Sequence, residues 1–514
     1  MNGAESLVRT LVAGGVNVCF ANPGTSEMHF VAALDRVEGM RCVLGLFEGV
    51  VTGAADGYFR MTGTPASTLL HLGPGLANGL ANLHNAKKAN SGIVNIVGQH
   101  AVYHIAYNAP LTSDIEGLAR PMSAWVRTSP DAKSIAKDGA AAIAAAKSSP
   151  PQIATLILPA DTAWNEADGI AQVPEHSQRP SYSPQAVEEA AKVLKKGEPT
   201  LLLLTGDALT EQGLALAERI AAKTGCKVMG QTYNPKMARG RGRFFIERIP
   251  YVIEQALPIL KDFKHIVLVE ANDPVAFFAY PNKPSMLKPE GCDVHRMTSA
   301  GENSVAALEA LANALGAKPQ DVKPQKLVDI AWPTGPLTHA SIAQAIAMAI
   351  PENAIVVDES ITTGRGFFPP TAAAAPHDWL QNMGGSIGFS TPVATGAAVA
   401  CPDRKVICMV GDGSAMYTLQ SLWTQAREGL DVVTVVFANK TYQILRGEFD
   451  GVGAGKPGQR ATDMLTLDRP SLDWVALAKG MGVPGRAVTT ADDFNKALKD
   501  AVAEKGPSLI EVQM

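Results

Sequence analysis

Asp412 and Asn439 each follow one of the two strands of a strand–turn–helix–strand stretch, Lys405 to Leu445, and both carry oxygen ligands. Val406 to Val410 is a short apolar run suited to a buried parallel strand, and Gly411-Asp412-Gly413 breaks it. Met416, Leu419, Leu422, Trp423 and Ala426 then recur at helical spacing, and Gly429 is a natural stop. Val432 to Ala438 is a second apolar strand, ending at Asn439. In a right-handed βαβ unit the two strands run parallel, so Asp412 and Asn439 emerge at the same sheet edge, where open α/β sheets bind ligands. A carboxylate, an amide oxygen and a free backbone carbonyl near Thr441, beside a glycine turn and a helix start, suit Mg²⁺ carrying a diphosphate. Ser414 and the amides around Gly411 and Gly413 are placed to hold phosphate oxygens. A Gly-Asp-Gly alone is only a turn; the Asn at the end of the next strand gives the pattern its specificity.

A second set of strand ends lies near the N-terminus. Val16 to Phe20 runs into Asn22-Pro23-Gly24-Thr25-Ser26-Glu27, where Pro-Gly forces a turn. Thr25 or Ser26 can cap the next helix or face a ligand from the strand's carboxyl end. Arg41 to Phe47 delivers Glu48, which can favour a helix dipole or meet a ligand. Gly49, Gly53 and Gly57 follow on one helical face. Glycine in a helix costs about 1 kcal/mol against alanine, so three in register call for close approach of another helix or subunit. Thr68 to Leu70 delivers His71, followed by Gly73-Pro74-Gly75, Asn78 and a helix from Leu76 to Ala89. A lone histidine is more often structural, but His71 shares its edge with Glu48 and Thr25; His84, His100 and His104 are weaker candidates.

The elements that position these residues read as three α/β domains with doubly wound parallel sheets, at 1–165, 184–318 and 337–514. Proline-rich linkers separate them, around Asp161 to Pro184 and Lys318 to Pro336. The middle domain offers a Thr205-Gly206-Asp207 turn that lacks a dinucleotide fingerprint. Arg239, Arg241 and Arg243 read as a solvated loop. Ala354 to Val357 leads to Asp358-Glu359-Ser360 and Thr362-Thr363, another carboxyl-edge cluster; Gly451 to Gly458 reads as a mobile glycine-rich loop. The net charge of −4 gives no reason to expect nucleic acid or an anionic membrane. Six cysteines without CxxC spacing argue against a zinc site or a disulfide framework. The first residues lack a signal-peptide run and no segment is apolar enough to span a bilayer, which points to the cytoplasm.

These motifs resemble the thiamine diphosphate (ThDP)-dependent 2-oxo acid decarboxylase and carboligase superfamily over essentially the whole chain. NPGTSE, Leu70-His71, GDGSAMYTLQSLWTQA and NKTYQIL look most like benzoylformate decarboxylase and acetolactate synthase-like proteins. The resemblance implies the order pyrimidine-binding, middle and diphosphate-binding domain. Asp412, Asn439 and the Thr441 carbonyl would hold Mg²⁺. Gly385, Ile387, Gly411, Gly413, Ser414, Tyr417, Tyr442, Thr363 and Asn78 would contact the cofactor, with Ile387 wedged beneath it and the Gly385 carbonyl accepting from its amino group. Glu48 would hydrogen-bond the pyrimidine, and His71, Thr25 and Ser26 would face the reacting carbons. The implied partners are a small 2-oxo acid, a second carbonyl as acceptor, and a copy of the chain in a homodimer or homotetramer.

The chain departs from its models in several places. Ala438 and Lys440 flank Asn439 where the family commonly has Asn and Gly, and Phe47 precedes Glu48 where many members have His. Val275 to Tyr280 lacks the middle-domain histidine of benzoylformate decarboxylase, and the chain is shorter than acetolactate synthases, which hold FAD and carry a C-terminal tail; FAD is therefore not expected. The rival readings are an FAD-dependent oxidase of the same fold, a non-catalytic partner subunit, and an ordinary nucleotide-binding protein.

Overall fold

The structure, a computed structural model, describes residues 1–514. Six strands, β1 (Val18–Asn22), β2 (Arg41–Leu44), β3 (Ala66–Leu70), β4 (Ile93–Gln99), β5 (Trp125–Thr128) and β6 (Ile153–Pro159), form an all-parallel first sheet in the order 2-1-3-4-6-5. The middle segment carries β7 (Thr200–Leu204), β8 (Lys227–Gly230), β9 (Met237–Arg239), β10 (Glu247–Arg248), β11 (His265–Val269) and β12 (Asp293–Thr298). The last carries β13 (Ala354–Glu359), β14 (His377–Gln381), β15 (Val406–Gly411), β16 (Val432–Ala438), β17 (Gly485–Val488) and β18 (Ser508–Gln513). Strands such as β7 and β16 are buried at every position, which is why they read as unbroken apolar runs: helices cover both faces of a parallel sheet.

The strand orders fix where a ligand can sit. In the first sheet the order reverses between β1 and β3; in the third, 17-18-16-15-13-14-9, it reverses between β13 and β15. Crevices open at the carboxyl ends of strands on either side of such reversals. Asn22 and His71 border the first crevice, and Glu359 and Asp412 the second.

The first and third domains share one apolar core, and the middle and third share another. The glycine face expected to meet a helix or a second subunit is taken up within the chain. Gly53 sits 2.5 Å, at an added Cβ, from Pro392, and Gly57 leaves room for the Val393 carbonyl, both in the helix Ser390–Ala400. Gly396 of that helix returns the fit against the Ala54 carbonyl, so two helices approach at backbone distance without a partner chain.

Three expectations need correction. The helix expected from Met416 to Ala426 starts only at Ser421. Thr418 donates to the Gly388 carbonyl at 3.0 Å and meets Thr391 at 3.0 Å, so burial of a hydroxyl, rather than helical pairing, sets the local backbone. β9 leaves the middle domain and pairs antiparallel with β14 on the edge of the third sheet. Its Arg239 is buried, not solvated: the guanidinium lies 3.6 Å from the Phe368 ring centroid and donates to Thr371 Oγ1 at 2.9 Å. Arg243 donates to the His377 carbonyl at 2.7 Å, and only Arg241, paired with Glu352, is exposed as expected. Gln443–Gly451 and Gln459–Met464 are helices on either side of the expected glycine-rich loop.

One buried and one half-buried carboxyl give the fold a pH dependence. Glu359 is 2% exposed and caps the Ser390–Ala400 helix, accepting from the Gly388, Phe389 and Ser390 amides at 3.0, 3.0 and 2.8 Å. Glu270 fills the Thr205-Gly206-Asp207 turn, accepting from the Asp207 amide at 3.0 Å and the Ser304 hydroxyl at 2.6 Å. Burial pushes both up to about 7, outweighing those hydrogen bonds. The folded chain therefore keeps protons that the unfolded chain has released, and the associated stability is present below the ordinary carboxyl value and lost as pH rises through about 7. Each group contributes roughly 3 kcal/mol at most, so the thermal midpoint should be higher at about pH 5.5 than at about pH 8. Glu359→Gln should flatten that slope; a slope unchanged in the variant would remove Glu359 as its source.

Candidate active site

At the third-domain crevice, Asp412 opens the short helix Asp412–Ala415 directly after β15. It is 4% exposed, and burial raises its carboxyl above the usual range. Oδ1 accepts from the Gly413 amide at 2.8 Å and Oδ2 from the Lys440 amide at 2.7 Å, so the carboxylate ties the β15 turn to the β16 turn. Lys440 takes the left-handed conformation, φ 57°, which bends the chain between Asn439 and Thr441. Asn439 Oδ1 accepts from the Thr441 amide at 3.1 Å. The Thr441 hydroxyl is spent on the Leu465 carbonyl and on Arg446 Nε, both at 2.7 Å, whereas its backbone carbonyl accepts no hydrogen bond. One buried carboxylate, one amide oxygen and one free carbonyl, with no thiol or imidazole among them, form a hard-oxygen donor set that fits Mg²⁺.

The surrounding residues leave space where an anion would lie. Gly411 has open space at its missing Cβ, while Gly413 lies beneath the Tyr442 ring, 2.5 Å from an added Cβ. Ser414 is buried beside them. Tyr417 is exposed, with its Cβ stacked on Gly388. Thr363 is buried, with Met514 Sδ 3.9 Å from its hydroxyl. Gly385 is left-handed at φ 76°, and the Phe277 ring occupies the place a side chain would take. Ile387 and Gly385 line a cavity of about 690 Å³ between the middle and third domains. Its wall mixes the apolar Phe277, Phe278, Ile361 and Leu445 with the charged Arg248, Arg365 and Glu448; Tyr251 of the wall donates to Glu448 at 3.0 Å, as does Tyr280 at 2.7 Å.

At the first-domain crevice, Glu48 is the first residue of the helix Glu48–Thr62 and is buried. Asn78 Nδ2 donates to its Oε2 at 3.0 Å, so Asn78 reaches the carboxylate rather than open space, and Gly75 leaves room beside Oε1. His71 Nδ1 lies 2.7 Å from Glu27 Oε2, which also accepts from the Gly24 amide at 2.7 Å. Glu27 is fully buried, and burial raises its carboxyl against the pull of His71 and the Gly24 amide. Its Oε1, tucked against Gly98, has no partner. The capping expected of Thr25 or Ser26 falls instead to Glu27; neither hydroxyl makes a hydrogen bond. His84 Nε2 meets the Gly384 carbonyl at 3.1 Å, a structural tie between domains.

The expected residues thus fall into two sets. The lining of the cavity beside Gly385 and Ile387 contains no residue of the first domain, and Glu48 and His71 point their side chains into contacts of that domain. Glu27 is the functional candidate that motif reading passed over; its place at the end of the NPGTSE run was the available signal.

The thiamine pyrophosphate enzyme N-terminal TPP binding domain matches residues 1–118, and the C-terminal TPP binding domain matches residues 367–512. A Mycobacterium tuberculosis H37Rv protein provisionally named acetolactate synthase large subunit IlvX is 51% identical over 100% of this chain and 99% of its own. Benzoylformate decarboxylase of Pseudomonas aeruginosa is 31% identical over 97% of this chain and 96% of its own. The structure of the ThDP-dependent 4-hydroxybenzoylformate decarboxylase of Rhodococcus jostii RHA1 superposes with a TM-score of 0.87 at 27% identity, covering 100% and 99% of the two chains.

Proposed function

The chain belongs to the thiamine pyrophosphate enzymes, and from that membership we propose that it is a ThDP- and Mg²⁺-dependent 2-oxo acid decarboxylase and carboligase of the acetolactate synthase-like kind. The observation that carries this reading is the pairing of a hard-oxygen set at one sheet reversal with a glutamate and a histidine at the other. When bound, ThDP supplies a thiazolium carbon that adds to the 2-oxo group and accepts electrons as carbon dioxide leaves.

The chain's own residues supply the rest. Asp412, Asn439 and the Thr441 carbonyl hold Mg²⁺, and Gly411, Gly413 and Ser414 give the diphosphate close access to backbone amides. Ile387 and Gly385 line the cavity, and Tyr417, Tyr442 and Thr363 would contact the cofactor. Glu48, steadied by Asn78, exchanges a proton with the pyrimidine ring. Glu27 fixes the ring orientation of His71 through Nδ1, so that His71 carries a proton toward the substrate carbon; Thr25 and Ser26 keep free hydroxyls at the same edge. Because one chain separates these two sets, the complete site is formed across a homodimer or homotetramer, with the first domain of one protomer facing the third domain of another.

The supply of a proton decides the bias between outcomes. Aldehyde release needs a proton at the carbon that lost its carboxylate, whereas carboligation needs that carbon to wait for a second carbonyl. Phe277 and Phe278 offer no proton; in this reading His71 is the donor, and small 2-oxo acids such as pyruvate joined to a carbonyl acceptor are the proposed chemistry. A benzoylformate decarboxylase-like reaction is the second reading, favoured by the aromatic lining of the cavity. A screen of 2-oxo acids with ThDP and Mg²⁺, following carbon dioxide and product together, separates the two. His71→Ala should reduce aldehyde release by about 10²-fold or more while sparing the release of carbon dioxide in a single turnover. Glu27→Gln should move the same ratio in the same direction by less. Equal loss of both products, or clean conversion of benzoylformate to benzaldehyde, would sink the carboligase reading.

A further inference from the structure

Away from the active site, the middle sheet brings together three side chains that no catalytic role uses. β11 and β12 pair in parallel with His265 beside Asp293 and Val267 beside His295. Asp293 and His295 are two apart on one strand, so they share a face, and His265 lies on the neighbouring strand next to them. His295 Nε2 stands 3.3 Å from His265 Nδ1, and Asp293 Oδ2 stands 3.8 Å from that same Nδ1. All three ligand atoms lie within 4.8 Å of one another.

We propose that His265, Asp293 and His295 form a binding site for a divalent transition-metal ion of the Zn²⁺ class. Three features of the cluster support it. Metal–nitrogen bonds of about 2.0–2.1 Å in a tetrahedral shell place two nitrogens about 3.3 Å apart, which is the separation already present. Glu198 lies 3.0 Å from His265 Nε2 and, as a carboxylate, can only accept; it therefore keeps the hydrogen on Nε2 and leaves Nδ1 with a lone pair toward the cluster. Lys264, 3.1 Å from Glu198, steadies that carboxylate. His265 is 5% exposed while Asp293 is exposed, so the pair is held by the fold and an ion can enter past the carboxylate.

Two imidazoles and one carboxylate leave a fourth position for water. They select for Zn²⁺, Co²⁺ or Ni²⁺ over Mg²⁺, the opposite preference to the hard-oxygen set at Asp412 and Asn439. The residues sit at the amino ends of their strands, across the sheet from the cavity. An ion there would clamp β11 to β12, and β11 leads at its other end to the segment bearing Phe277 and Phe278. The role is structural: the ion stabilises the folded middle domain in proportion to its saturation.

The test uses the full chain loaded with ThDP and excess Mg²⁺. Co²⁺ should bind with one ion per chain and give the intense visible absorption of a tetrahedral nitrogen–oxygen site, and Zn²⁺ should displace it and raise the thermal midpoint. His295→Gln and Asp293→Asn should each lose the absorption and the thermal gain. Asp293→Asn is the safer variant, because an exposed position leaves the histidine pair and the metal-free midpoint intact. No tetrahedral absorption in the wild type, or equal absorption in both variants, would reduce the cluster to a hydrogen-bonded histidine pair and overturn the proposal.

Discussion

Glu48→Gln should slow turnover by about 10²–10⁴-fold while ThDP still binds, the range lost when positioned acid–base help is removed. The substitution keeps the size of the side chain and its place at the first turn of the helix Glu48–Thr62. The new amide oxygen can still accept from Asn78 Nδ2, so its partner is not left unsatisfied in a buried site. What is lost is the capacity to take up and return a proton. Binding survives because the proposed anchors of the cofactor, Asp412, Asn439 and Thr441, belong to the other domain. The measurement is isotope exchange of the acidic ring proton of bound ThDP in deuterated buffer. An exchange rate close to that of the wild type would remove Glu48 from the role.

Asp412→Ala should abolish cofactor retention rather than slow a step. Both carboxylate oxygens hold amides of the two turns that carry the other ligands, so the truncation deletes a charge-bearing ligand and frees Gly413 and Lys440 at once. Each orphaned amide costs about 1–3 kcal/mol if water does not replace the bond, and the diphosphate then faces an incomplete oxygen shell. Calorimetry with ThDP and Mg²⁺ should show no binding at concentrations that saturate the wild type. Mixing this variant with Glu48→Gln provides the check on assembly. If each site draws Glu48 from one protomer and Asp412 from another, random exchange of dimers restores about a quarter of wild-type activity from two inactive proteins. A mixture that stays inactive after proven exchange would place both residues in a site built from one chain.

What could be read from the chain alone divides along physical lines. Asp412, Asn439, Glu48 and His71 were visible because an apolar run followed by a polar residue marks the end of a buried strand, and parallel strands put such ends on one edge. Glu27 was hidden inside a motif dominated by its turn residues; its pairing with His71 depends on β1 and β3 being neighbours. Arg239 looked like a loop arginine because nothing local announces Phe368 and Trp379, which arrive from the third domain. Glu359 sat in a run that reads as ligand-facing, yet it turns inward to a helix start that follows it by some distance in the chain. His265 and His295 show no spacing motif at all, since their proximity comes from strand register.

β9 has a consequence for how this chain can be divided. Strand β14 would be the outer strand of the third sheet, a row of unpaired amides and carbonyls, were it not covered by Met237–Arg239 from the preceding domain. A fragment cut between the middle and third domains would bare that row and invite another chain to add a strand there. Shuffling the third domain alone onto a relative's middle domain would meet the same difficulty, unless the donor supplied a matching strand. Evolutionary exchange of parts in this molecule is therefore constrained to units that travel with their sheet edge.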